Sequence, residues 1–316
     1  MSYLKYLYPA IEPYHTGFYS PNDSKHRIYY EISGNPDGIP VVYVHGGPGG
    51  GTSAVCRRFF DPQKYKIILI DQRGCGKSTP SICTTNNTTD YLVEDMEAIR
   101  KSLNIEKWVL FGGSWGTTLS LCYAIKYPQN VLKMVLRGIY LNRRSDIDWL
   151  FEQGASYFKP EEFDQFCSLL SKKTHTLNKV HEYFELMNST NEQLKTQTCI
   201  EWAKWEMCLI SVNKLEFNPL KNIRETIEIA YLENWYFEHN GFMEENYILN
   251  NVDKIKHIET HIVHGVYDLD CRPIGAYELH KALLNSKLYM LSKTAHTQRE
   301  PKIAKTLVEI MQKLTF

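Results

Sequence analysis

The chain has no excess charge of either sign: 36 Lys and Arg balance 36 Asp and Glu over 316 residues. Nucleic-acid or membrane-surface binding would favour a basic stripe, so neither partner is expected. No apolar run approaches the roughly 18–20 residues of a membrane span. The opening Met-Ser-Tyr-Leu-Lys-Tyr-Leu-Tyr-Pro lacks the apolar core and small-residue cleavage site of a secretion signal. The eight cysteines include no C-x-x-C pair and no Cys/His spacing of a zinc site, so no metal site is expected. Reduced thiols and a cytoplasmic location follow as the expectation. The triplet Asn22-Asp23-Ser24 then carries no meaning as a glycosylation site. There is no internal repeat and no low-complexity segment.

What is present is an alternation. Residues from about His15 to Ile32 read as a hairpin around Pro21-Asn22-Asp23-Ser24. Short apolar runs follow at Val41–Val44, Tyr65–Ile70, Trp108–Phe111 and Val131–Leu136, each suited to a strand buried on both faces. Helical spacing marks Asp90–Leu103 and Thr117–Lys126 between them. This is the pattern of βαβ units on a mostly parallel sheet.

From Tyr140 to Val252 glycine nearly vanishes and the period becomes helical, at Ser145–Ala155, Pro160–Leu170, Glu192–Leu215 and Ile223–His239. Strand signals return at Ile258–Val263 and Leu288–Leu291, with helices at Pro273–Leu284 and Pro301–Leu314. The expected fold is therefore α/β. A core from residues 1–139 and 253–316 would carry an inserted all-α cap at 140–252.

The stretch after Phe111 carries the first chemistry. Gly112-Gly113-Ser114-Trp115-Gly116 fits G-x-S-x-G between a strand and a helix, the context of a nucleophile elbow. A serine hydroxyl needs a neutral imidazole as base and an acid to orient that imidazole. Downstream of the cap, Asp268 lies five residues past the strand ending at Val263, and His296 five past the strand ending at Leu291. Asp270 rivals the acid; His264 and His280 rival the base. The loop His45-Gly46-Gly47-Pro48-Gly49 would supply one oxyanion donor, Gly47 N–H, and Trp115 N–H the other. A phosphate-binding reading fails because no G-K-[ST] closes that loop.

The set His-Gly-Gly-Pro-Gly, Asp-Gln-Arg-Gly-x-Gly-x-Ser and Gly-Gly-Ser-Trp-Gly, in this order, resembles the prolyl aminopeptidases (proline iminopeptidases) of the α/β-hydrolase superfamily. The resemblance continues through Leu136-Arg137-Gly138, Trp202-Ala203-Lys204-Trp205-Glu206, Glu233-Asn234-Trp235-Tyr236-Phe237 and His264-Gly265-x-Tyr267-Asp268. It implies an α/β-hydrolase fold, no cofactor, and small peptides with N-terminal proline as partners. It also implies Ser114, Asp268 and His296 as triad, Glu206 and Glu233 as acids receiving the secondary ammonium, and Phe237 with Tyr140 lining a ring pocket. Arg137 and Arg73 read as structural.

Some positions depart from the family pattern. Ala295 stands where glycine is common, Val266 where arginine is common, and Leu150 where an aromatic often lines the pocket, which would widen it. Bulky reagents on Cys271, three residues past Asp268, would crowd the triad. The alternatives are an esterase, amidase, acyltransferase or broader-specificity aminopeptidase of the same fold, or a non-catalytic binding protein on this scaffold. A dehalogenase or epoxide hydrolase would need Asp at position 114.

Overall fold

A computed structural model describes residues 2–22, 25–171, 178–213 and 215–316. Its centre is an eight-stranded sheet. The strands are β1 (His15–Tyr19), β2 (Ile28–Gly34), β3 (Ile39–Val44), β4 (Tyr65–Ile70), β5 (Trp108–Gly113), β6 (Val131–Arg137), β7 (Thr260–Gly265) and β8 (Ser286–Leu291). Their order is β1-β2-β4-β3-β5-β6-β7-β8, antiparallel through β1, β2 and β4 and parallel from β4 to β8. The first two strands form the expected hairpin, although Asp23 and Ser24 of its turn lie outside the described residues.

Ten α-helices are described: α1 (Thr89–Ser102), α2 (Trp115–Lys126), α3 (Arg144–Phe151), α4 (Pro160–Cys167), α5 (Lys179–Met187), α6 (Glu192–Leu209), α7 (Ile223–Glu238), α8 (Tyr247–Asn250), α9 (Pro273–Ala282) and α10 (Pro301–Lys313). Their faces follow from sequence. In α1, Leu92, Met96 and Ile99 recur at helical spacing and are buried. In α10, Ile303, Leu307 and Ile310 do the same against the opposite face of the sheet. The α2 segment Trp-Gly-Thr-Thr-Leu-Ser-Leu-Cys-Tyr-Ala-Ile has no charged residue, and every position of it is buried. Such a helix has to be covered on all sides, and it packs against β5, β3, β6, α1 and α8.

Helices α3 to α8 lie between β6 and β7 in the chain. Their core is aromatic: Phe151 stacks on Trp202 at 4.3 Å, and Phe166 on Tyr183 at 4.4 Å. These rings join the same buried cluster as Ile68, Leu110 and Leu136 of the sheet. The insertion therefore has no separate core.

Among the bounds that differ from the sequence expectation, two bear on the site. Helix α6 stops at Leu209, short of Leu215, because the Ile210 carbonyl accepts from His296 N (3.1 Å) and Thr297 N (2.9 Å). β7 runs on to Gly265, so Asp268 lies three residues past its end. Helix α5, which sequence periodicity left unnamed, supplies Val180 and Tyr183 to the aromatic core.

Candidate active site

The parallel register sets the site. Val44 pairs with Gly112, Gly113 with Arg137, and Arg137 with Val263, so the carboxyl ends of β3, β5, β6 and β7 align at one edge. Open α/β sheets bind ligands at that edge. The loops leaving it carry Gly47, Ser114 and Asp268, with His296 on the loop after β8.

Ser114 sits between β5 and α2 with φ 57° and ψ −131°, a region that costs a non-glycine residue free energy. Its neighbours permit this. A Cβ on Gly112 would meet the Gly116 carbonyl, and one on Gly116 would run into the Val44 carbonyl. Both positions therefore need glycine, and the turn holds the hydroxyl out at the N-terminus of α2. Ser114, Gly47 and Gly50 line a cavity of about 710 Å³ between sheet and cap. Among the described residues, neither Gly47 N–H nor Trp115 N–H has a protein acceptor.

Gln72 joins these two segments, which the sequence reading missed. Its side-chain amide donates to the His45 carbonyl at 2.9 Å, and its oxygen accepts from Trp115 Nε1 at 3.2 Å. Its backbone N–H donates to His45 Nε2 at 3.0 Å. The Asp-Gln-Arg-Gly segment thus ties the glycine loop to the elbow, while Arg73 is held bidentately by Asp95 at 2.6 and 2.7 Å.

Asp268 and His296 meet as expected. His296 Nδ1 lies 2.8 Å from Asp268 Oδ2, with both side chains buried. Asp268 Oδ1 accepts from the N–H groups of Asp270 (3.0 Å) and Cys271 (2.8 Å). His264 takes a supporting place: its Nδ1 accepts from Ile139 N–H, and Nε2 donates to the Cys271 carbonyl, 3.3 Å from Asp268 Oδ2. That pattern fixes one neutral tautomer. His280 is remote from this cluster and pairs with Ser286.

Burial pushes the His296 imidazole down to about 4, with Asp270 opposing and the Arg137 charge assisting the shift. Asp268 is raised by burial, against the pull of His264, the Cys271 N–H and Arg137.

Two neighbours of His296 were read otherwise from sequence. Arg137 Nη1 donates to His296 Nε2 at 2.9 Å, and among the described residues no hydrogen bond joins that nitrogen to Ser114. Arg137, read from sequence as structural, thus contacts His296 directly. A Cβ on Gly113 would overlap its guanidinium, so the second glycine of the elbow makes room for it. Asp270, weighed as the orienting acid, stands at the other ring nitrogen, 3.2 Å from Nε2. Asp270 Oδ2, Cys271 Sγ and His296 Nε2 lie within 4.8 Å of one another, a spacing a metal ion could bridge. Arg137 already donates into the Nε2 lone pair, and a cation there disfavours a second one.

The cap contributes the remaining chemistry. Glu206 on α6 and Glu233 on α7 both line the cavity and hydrogen-bond to each other through their side chains. Glu233 is 4% exposed and accepts from Trp202 Nε1 at 3.0 Å. Burial lifts Glu233 to about 7, and burial with the Glu233 charge lifts Glu206 well above the usual carboxylate range. Two carboxylates in hydrogen-bond contact share a proton at neutral pH. Phe237 and Tyr140 line the same cavity with ring centroids 5.7 Å apart, and Leu150 faces them. Cys271 lines it as well, 3% exposed.

A family model for the α/β hydrolase fold matches residues 39–297. A proline iminopeptidase from Arabidopsis thaliana is 42% identical over 311 residues, 98% of this chain and 82% of that protein. Another, from Neisseria gonorrhoeae, is 41% identical over 312 residues, 97% of this chain and 98% of its own length. The chain belongs to the proline iminopeptidase family of α/β-hydrolase-fold enzymes.

Solved structures agree on the fold. A bromoperoxidase from Bacillus anthracis superposes with a TM-score of 0.66 at 18% identity, covering 95% of this chain and 100% of that one. An esterase from Exiguobacterium antarcticum gives 0.63 at 20%, covering 94% and 99%. No described helix is long and apolar enough to cross a membrane.

Proposed function

We propose that this family member is a serine aminopeptidase releasing N-terminal proline from small peptides, with Ser114, His296 and Asp268 as its triad. The observation that carries this is the Glu206–Glu233 pair. Burying two acids against each other costs several kcal/mol unless a cation enters between them, and a prolyl secondary ammonium is such a cation. Tyr140, Phe237 and Leu150 would receive the ring.

With the ammonium at the glutamates, the prolyl carbonyl lies over Ser114 Oγ. Attack passes the hydroxyl proton to His296 Nε2, while Nδ1–H holds its bond to Asp268. The oxyanion is met by Gly47 and Trp115 N–H. His296 then protonates the leaving nitrogen, the peptide bond breaks, and water cleaves the prolyl-enzyme by the same route. An internal proline has no ammonium to offer, which accounts for exopeptidase action.

Residues 140–252 act in this reading as a recognition cap on a core of 1–139 and 253–316. Eight free cysteines suit a reducing, cytoplasmic setting. Replacing Glu206 or Glu233 with Gln tests the assignment. Turnover of a prolyl anilide should fall steeply; an esterase acting on neutral acyl groups would keep its rate.

A further inference from the structure

Arg137 ends β6 and is only 8% exposed, yet among the described residues no carboxylate lies within 4.0 Å of its guanidinium. Asp268 and Asp270 feel its charge only at longer range. Its hydrogen bonds go to the base itself: Nη1 to His296 Nε2 at 2.9 Å and to the His296 carbonyl at 3.1 Å. A guanidinium has five N–H donors in a planar fork that matches a carboxylate, and this one faces the cavity beside Ser114. A buried cation without a close acid is costly unless a ligand supplies the anion.

We propose that Arg137 binds the free α-carboxylate of the amino acid that leaves, which makes prolyl dipeptides the favoured substrate class. The inference rests on the assignment of Ser114 and His296. The leaving nitrogen takes its proton from His296 Nε2, so it lies within hydrogen-bond reach of that atom. In a dipeptide the carboxylate is separated from that nitrogen by a single Cα. Arg137 Nη1 is already in contact with Nε2, so its fork lies within reach of a carboxylate one Cα away. In a longer peptide or an amide, a neutral group stands there instead.

Binding there also frees the base. While Nη1 donates into Nε2, the lone pair that Ser114 requires is occupied. A carboxylate is a stronger acceptor than a neutral imidazole, so it draws the guanidinium away and leaves Nε2 to the serine hydroxyl.

The test compares kcat/KM for a prolyl dipeptide and for the same dipeptide amidated at its C-terminus. We expect the free acid to be favoured by roughly tenfold or more, the scale of one charge-assisted hydrogen bond. Arg137→Gln should bring the ratio close to one, and Arg137→Lys should retain part of it. A ratio near one in the unmodified enzyme, or a preference that survives Arg137→Gln, overturns the proposal. Ser114→Ala separates this from failure of the site itself: retained turnover of both peptides would sink the nucleophile assignment. Turnover abolished in Ser114→Ala, with a wild-type ratio near one, removes the carboxylate site alone.

Discussion

Asp268 lies buried behind His296, while Glu206 and Glu233 line the cavity itself, and the surroundings of these acids are opposite. Asp268 is fully served by the protein, with His296 on one oxygen and two backbone N–H groups on the other. The glutamates have Trp202 Nε1 and each other. A carboxylate whose acceptor positions are filled orients its partner and stays put. A pair left to share a proton is completed from outside. On the proposed reading, Asp268 is already satisfied within the core, and the cap holds a site that a substrate cation completes.

The contrast breaks most sharply at Ser114, the proposed nucleophile. Ser114→Ala should reduce kcat by at least about 10⁴-fold on any acyl substrate, measured with a prolyl anilide. Asp268→Asn should come close to that loss, because it leaves His296 without a partner for Nδ1–H. Next come Glu206→Gln and Glu233→Gln, each expected to lower kcat/KM about 10²-fold or more for cationic prolyl substrates, the scale of losing one buried ionic partner.

The shared proton predicts a pH dependence of binding. A bound ammonium favours both glutamates ionised, so KM should fall as pH rises through about 7, where Glu233 titrates. A KM flat across that window would argue against a shared proton.

The smallest effect is on stability. The folded carboxyl titrates near 7 and the unfolded one near 4.5, so between these values the native state holds the extra proton. The stability it contributes is complete below 4.5 and is lost as pH rises through 7. Glu233→Gln should therefore raise Tm by a few degrees at pH 8 and leave it almost unchanged at pH 5, checked by calorimetry.

The core was legible because its constraints are local. The elbow is five consecutive residues whose glycines answer to backbone collisions, and buried strands announce themselves as apolar runs. Chain order paired Asp268 with His296, and they are in contact because each loop leaves the same sheet edge.

What resisted reading depends on contacts between distant segments. Arg137 looks like any strand-end arginine until the loop after β8 brings His296 against it. Gln72 gives no sign that it bridges positions 45 and 115. Asp270 was weighed for the wrong nitrogen of the right ring, because a loop sequence does not say which way alternate side chains point. The end of α6 was overestimated for the same reason. The Ile210 carbonyl is taken by the His296 loop, a partner about ninety residues away that no helical period can reveal.

The proposed contrast between a satisfied core acid and cap acids that await a cation is tested most directly in Glu206→Gln by pairing two measurements on one preparation. One is kcat/KM for a prolyl anilide; the other is the rate at which a neutral fluorophosphonate labels Ser114. The account predicts that hydrolysis falls by about 10²-fold or more while labelling holds within a fewfold. Equal loss of both would show that Glu206 serves the nucleophile, and unchanged hydrolysis would show that the cap acids do not receive the substrate amine.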